Sequence, residues 1–215
     1  MDQVTPHVLL RAYAAGIFPM AETAEDAALY WVEPETRGIL PLDGLVISRS
    51  LRKSVRRRAF EVSIDRDFAG VIGSCAAKTA DRKTTWINTR IRSLYTQIHR
   101  MGCCHSVECW QDGKLVGGLY GVRIGAVFFG ESMFSRVADA SKVALVHLVA
   151  RLNAGGFQLL DAQFVNPHLE RLGAVAIPKA EYHKLLEPAL DAEADFQALK
   201  DDDPETILGL AKSAS

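Results

Sequence analysis

The sequence of this 215-residue chain predicts a mixed α/β fold, a layered main domain behind a small N-terminal one. Three observations predict it. Asp112-Gly113 joins two strand-like segments as a two-residue hairpin. An all-round apolar helix over residues 140–153 lies between two further strand-like segments, the pattern of a crossover between parallel neighbours. From about residue 45 helical and strand periods alternate, whereas the first 44 residues lack that rhythm.

In order, residues 8–15 read as a helix, with short pieces around Trp31 and Ile39, and residues 1–44 form the small unit. Residues 45–215 are the main domain. Ile91, Leu94, Tyr95 and Ile98 follow helical spacing, with Asn88 as N-cap and Gly102 as stop. Residues 106–110 and 115–120 flank the hairpin turn, and a third strand spans 126–130. The polar connection 135–141 leads into the buried helix, which ends at Gly155-Gly156. A buried strand over 157–164 follows, then a short helix from Asn166-Pro167 and another over 179–190. From about residue 190 the chain reads as a solvated, partly ordered acidic tail, in which Asp203-Pro204 could cap a short last helix through Ile207 and Leu210.

Composition narrows the function classes. Hydrophobic residues make up 48% and the net charge is −1, which excludes a disordered chain and a uniformly basic nucleic-acid coat. No apolar run reaches membrane-span length, and the start lacks a secretion signal. The expectation is a soluble cytoplasmic protein with reduced thiols. Cys103, Cys104, His105 and Cys109 lack zinc-ligand spacing and a second pair downstream, so they read as structural, and no metal is expected.

Charge is unevenly placed. Residues 48–60 carry six basic residues and no acidic one, and on a helical wheel Arg49, Arg52, Lys53 and Arg56 oppose Ile47, Leu51 and Val55. Such a ridge, with Arg57 beside it, suits a phosphate backbone, although a solvated helix face has the same pattern. Between Glu187 and Glu205 there are eight carboxylates against Lys200 alone.

Two strand ends carry unusual polar groups. Residues 128–136 set Glu131, Ser132, Ser135 and Arg136 among aromatics, which makes either a site or a buried Glu131–Arg136 ion pair. Asp161 and Gln163 share one face of an apolar strand, where burial is costly without partners. Together they suggest a polar network beside an apolar cavity. Coenzyme A is disfavoured, because residues 135–141 contain no glycine to bring backbone N–H groups to a pyrophosphate and place Asp139 against it.

At these residues the chain resembles the bacterial leucyl/phenylalanyl-tRNA–protein transferase family. The matching pieces include residues 13–19, Trp31 with Pro34 and Arg37, 48–50, Trp86-Ile87, 105–108, 116–122, 129–135, 140–142 and 161–163, in family order from about residue 8 to about residue 186. The resemblance implies an acetyltransferase-like C-terminal domain and transfer of Leu or Phe, with Met as a further donor, from aminoacyl-tRNA. The acceptor would be a protein with N-terminal Arg or Lys, thereby marked for degradation, and the enzyme a cofactor-free monomer. By position it implies Asp161, Gln163 and Glu131 at the reacting ester. Trp31 and Trp86 would meet the terminal adenosine. Phe128, Met133, Leu119, Leu145 and Leu160 would line the side-chain pocket, with Ser135 beside it. Arg49, Arg52, Lys53, Arg56 and Arg57 would hold the tRNA backbone. The chain departs from the family in its shorter leader, in Tyr30 and Val32-Glu33 around Trp31, in Leu148 where an aromatic is frequent, and in its acidic tail. A coenzyme A-dependent N-acetyltransferase and a non-catalytic tRNA-binding module are the competing readings.

Overall fold

A computed structural model describes residues 4–21, 29–77, 85–200 and 202–212. The N-terminal part consists of α1 (Pro6–Ala14), β1 (Phe18–Met20) and β2 (Tyr30–Val32), the two strands forming an antiparallel hairpin. It is followed by β3 (Thr36–Ile39), α2 (Arg49–Arg56), β4 (Glu61–Ile64), α3 (Phe68–Ala76) and α4 (Thr89–Arg100). Next come β5 (Cys104–Gln111), β6 (Lys114–Ile124), β7 (Val127–Ser135), α5 (Ala140–Ala154) and β8 (Leu159–Gln163). The chain ends with α6 (Pro167–Glu170), β9 (Val175–Pro178), α7 (Lys179–Asp191) and α8 (Pro204–Leu210).

Seven strands form one mixed sheet in the order β4-β5-β6-β7-β8-β3-β9. Among the described residues only β7 and β8 run parallel, joined by α5 as the crossover, a layout compatible with the acetyltransferase-like expectation. Residues alternate along the strands between two apolar clusters. Leu119, Phe128 and Leu160 face α5, α2 and α8, whereas Tyr120, Phe129 and Leu159 face α1, α3, α4 and α7.

Local signals explain the elements that were foreseen. The Asn88 side chain accepts the Ile91 N–H at 2.8 Å, and Gly102 takes φ +74° behind α4. Asp112 and Gly113 both adopt positive φ, as a tight hairpin demands. Asp203 accepts the Glu205 and Thr206 N–H groups and so starts α8.

Three expectations change. Residues 36–39, assigned to the small N-terminal unit, are a strand of the main sheet between β8 and β9, because Gly38 allows the chain to pass against Phe164. The third strand runs to Ser135 instead of stopping at Gly130. Tyr120 pairs with Ser132 while Gly121 pairs with Gly130, so Glu131 is the extra residue of a β-bulge that lets pairing resume. The segment after residue 190 is part of the core, not an appendage. Phe196, Leu199, Ile207, Leu208 and Ala211 are buried in the cluster around α5. The Phe196 ring stacks on His105 at 4.2 Å and on Phe128 at 5.5 Å. Gly155 does more than end α5, since a Cβ there would lie 2.2 Å from the Asp195 carbonyl oxygen as this segment passes. Of its acidic residues, Asp201 lies outside the described residues.

Candidate active site

The polar centre forms where the sheet divides. Pairing of β7 with β8 covers only Val127 to Phe129 and Leu159 to Asp161. Beyond it the bulge turns Glu131 out of register, and β8 ends in a reversal at Gln163. Gln163 has φ +60°, and the next N–H, of Phe164, bonds back to the Ala162 carbonyl at 2.7 Å. A non-glycine residue in this conformation is strained and persists only where its surroundings hold it.

Asp161 supplies that hold. Its Oδ1 accepts the Gln163 backbone N–H at 2.7 Å. The same carboxylate accepts from Arg37 Nε and Nη2, the latter at 2.6 Å, and from the Tyr182 hydroxyl at 2.7 Å. Asp161 is 0% exposed and Arg37 1%, so this is a buried, fully bonded ion pair. Burial pushes the Arg37 guanidinium down, and the Asp161 carboxylate more than offsets it, leaving the group above its ordinary value. The guanidinium also donates to the Gly16 carbonyl and lies over the Phe18 and Tyr182 rings. In this way the N-terminal hairpin is tied to the end of β8.

Glu131 collects three donors: the Tyr13 hydroxyl at 2.6 Å, the Tyr95 hydroxyl at 2.9 Å and the Gln163 Nε2 at 2.8 Å. The two tyrosine hydroxyls also contact one another. Burial lifts the Glu131 carboxyl to about 7, while the three hydrogen bonds act in the opposite sense. Burial and the Glu131 charge keep both phenols protonated, hence donors. Because its amide N–H is committed to Glu131, Gln163 turns its Oε1 away, and among the described residues nothing donates to that oxygen.

Two spaces meet at this network. One is an apolar cavity of about 110 Å³ walled by Leu40, Leu119, Met133, Leu145, Leu148, Leu160 and Leu169, with Glu131, Asp161 and Ala162 at its edge. The other is an open cleft of about 300 Å³ bounded by Met20, Trp86, Phe164, Asn166 and His168. Glu131, Ser132, Met133, Ala162 and Leu169 border both spaces.

The structure thus brings together Glu131, Asp161, Gln163, Leu119, Met133, Leu145 and Leu160, and places Trp86 across the cleft. It separates three residues from them. Phe128 is fully buried but stacks on Phe196 and forms no part of the cavity wall. Ser135 is exposed, donating to the Val137 carbonyl and accepting the Ser141 N–H at the start of α5. Trp31 is 41% exposed opposite Pro19 in the hairpin, and the cleft wall there is Met20. The Glu131–Arg136 pair does not form: Arg136 bonds the Leu115 carbonyl and Ser74 instead. Sequence reasoning missed the supporting groups Arg37, Tyr13, Tyr95 and Tyr182. Arg37 and Tyr13 lay inside recognised motifs without a role, and Tyr95 passed as one more apolar stripe residue.

The basic segment forms α2, with Arg52 half-buried and Arg56 paired with Glu205. Leu51 and Val55 are buried, Ser48 caps α2 by accepting the Leu51 N–H, and Arg49, Lys53 and Arg57 are exposed. Cys75, Cys103, Cys104 and Cys109 are free thiols. Among the described residues no group of His, Cys, Asp and Glu could hold a metal ion, and no helix is long and apolar enough to cross a membrane.

Comparison with known proteins gives the class and then the family. Residues 39–187 match the family model described as leucyl/phenylalanyl-tRNA protein transferase, and residues 2–35 match that of its N-terminal domain. A leucyl/phenylalanyl-tRNA–protein transferase of Rhodopseudomonas palustris (strain HaA2) is 59% identical over 204 residues, 95% of this chain and 91% of that protein. One from Nitrobacter winogradskyi is 57% identical over 203 residues, 94% of this chain and 90% of that protein. The chain is therefore an aminoacyltransferase. It belongs to the leucyl/phenylalanyl-tRNA–protein transferase family.

Proposed function

We propose that this protein moves Leu or Phe from aminoacyl-tRNA to the N-terminal α-amine of proteins that begin with Arg or Lys. It would do so in the cytoplasm and as a monomer. The observation that carries the reading is the apolar cavity meeting, at Glu131, the open cleft that Gln163 lines. The aminoacyl ester is already activated, so the chain's residues have to position two substrates rather than supply energy. The donor side chain enters the cavity, and burying it contributes roughly 1.5–3 kcal/mol that a small or charged residue lacks.

The incoming amine attacks the ester carbonyl. A C–N bond forms, the C–O bond to the terminal ribose breaks, and the amine proton passes to the departing ribose oxygen. Gln163 Oε1, held outward because its Nε2 donates to Glu131, accepts from the amine and aims its lone pair. An amide is too weak a base to remove a full proton, so its part is alignment. Asp161 and Arg37 hold the strained Gln163 turn in place. Trp86 and Met20 border the cleft through which the tRNA end and the acceptor approach. The cations of α2 hold the acceptor stem by its phosphates, without reading bases.

The cavity volume favours one donor. An apolar cavity of about 150 Å³ accommodates benzene. The smaller volume here fits a branched aliphatic group as it stands, while a benzyl group needs the flexible Met133 to move. Incubation with Leu- or Phe-charged radiolabelled tRNA and an Arg-initiated peptide tests the reading. Label should enter the peptide, with Leu ahead of Phe and both far ahead of Ala. Gln163→Ala should slow transfer about 100-fold with tRNA affinity nearly unchanged. Equal losses in both would refute the alignment role, and tRNA binding without labelling would make the protein a binding module.

A further inference from the structure

The acidic segment behind residue 200 sits on the basic ridge itself. Arg56 Nε and Nη2 meet Glu205 Oε1 and Oε2 at 2.7 and 3.1 Å. Arg58 Nη1 and Nη2 meet Asp202 Oδ2 and Oδ1 at 2.7 and 3.3 Å. Both are two-pronged contacts, the geometry in which a guanidinium also takes a phosphate. The hydrogen bonds from the two arginines hold Asp202 and Glu205 below the usual carboxylate range. These carboxylates are held there by apolar anchors on either side: Phe196 and Leu199 before them, Ile207 and Leu208 after them. A cleft of about 360 Å³ beneath them is also lined by Lys200 and Arg151. By contrast, Arg49, Arg52, Lys53 and Arg57 make no salt bridge among the described residues.

From this geometry we infer that Asp202 and Glu205 are an internal phosphate mimic, occupying Arg56 at the end of α2 and Arg58 just behind it until nucleic-acid phosphates displace them. The inference rests on the reading of α2 as the tRNA backbone site. The chain thereby weakens its own grip on any polyanion, specific or not, and keeps affinity low enough for the discharged tRNA to leave. Both contacts are exposed, so water, salt and phosphate compete for the guanidinium groups on equal terms. The apolar anchors do not depend on them, so the segment can release its carboxylates without leaving the core.

The experiment is binding of uncharged tRNA to the full chain across a series of salt concentrations. Asp202→Asn with Glu205→Gln should bind about fivefold more tightly at low salt. Its plot of log affinity against log salt should be steeper, because in the parent salt also loosens the exposed carboxylate contacts that compete with the phosphates. In a background carrying Arg56→Gln and Arg58→Gln, removing the same two carboxylates should change nothing. Unchanged affinity in the first variant, or the same gain in the arginine-free background, would overturn the mimic. Arg52→Gln with Lys53→Gln separates the two levels. Should it leave binding unaffected, the reading of α2 fails and the inference falls with it. Should it weaken binding while Asp202→Asn with Glu205→Gln strengthens nothing, the inference alone falls.

Discussion

The molecule contains an arginine–carboxylate pair in each of two media. Arg37 meets Asp161 at 2.6 Å with side chains 1% and 0% exposed. Arg56 meets Glu205 at 2.7 Å with side chains 51% and 65% exposed. Distance does not separate them. Water does, because two unit charges interact several-fold more strongly where solvent is excluded, and neither can be rehydrated in place. The buried pair therefore acts as a fixed part that carries the Gln163 turn, whereas the exposed pair is a contact that another anion can take over. Rigidity sits at the reacting centre and exchangeability at the surface.

Breaking the buried pair should give the largest effect. Arg37→Met leaves the Asp161 carboxylate buried without its counter-ion and should destabilise the fold by about 3–5 kcal/mol. Adding Asp161→Leu removes the uncompensated charge and should restore part of that loss. Full restoration is not expected, since the Tyr182 hydroxyl and the Gln163 N–H lose their acceptor, at about 1–3 kcal/mol for a buried orphan. Urea unfolding of both variants checks this. A single variant as stable as the parent would mean that the pair behaves like a surface one.

Glu131 occupies an intermediate medium, part-buried and shared between cavity and cleft. Its carboxyl stands at about 7 against an ordinary 4.5, burial being the main cause. The folded chain thus keeps a proton that the unfolded chain has already released. That contribution to stability is complete below about pH 4.5 and lost as pH rises through about 7, an effect of about 3 kcal/mol. Glu131→Gln should lose less stability than the parent on going from about pH 5 to about pH 8. An identical pH slope in both would place Glu131 in contact with solvent.

The degree to which sequence exposed these features follows the range of the interactions. Elements set by neighbouring residues were legible: the Asn88 cap, the Asp112-Gly113 turn, the apolar stripe of α2 and the length of α5. The polar pair Asp161 and Gln163 also stood out, because two such groups on one face of an apolar strand demand partners. Those partners were not legible. Arg37 reaches Asp161 across 124 positions and Tyr13 reaches Glu131 across 118, and no local pattern encodes such a meeting. The bulge that exposes Glu131 depends on how β6 and β7 align, which alternation alone does not specify. The acidic stretch misled for the opposite reason. Its carboxylates dominate the composition, while a few spaced apolar residues, Phe196, Leu199 and Ile207, decide where it lies.

The smallest effect should come from the surface pairs. Asp202→Asn and Glu205→Gln each remove one partner of an exposed contact, and neither leaves a charge stranded, since Arg56 and Arg58 are more than half open to water. The lost attraction is offset by regained side-chain freedom, so each should leave folding stability almost unchanged. The α8 cap is unaffected, because it is Asp203 that accepts the Thr206 N–H. Thermal melts at low and high salt would measure this, and the small difference should shrink further as salt rises. A clearly lowered melting midpoint from either substitution would show that these carboxylates hold the C-terminal segment in place, in conflict with the apolar anchors to which we attribute that task.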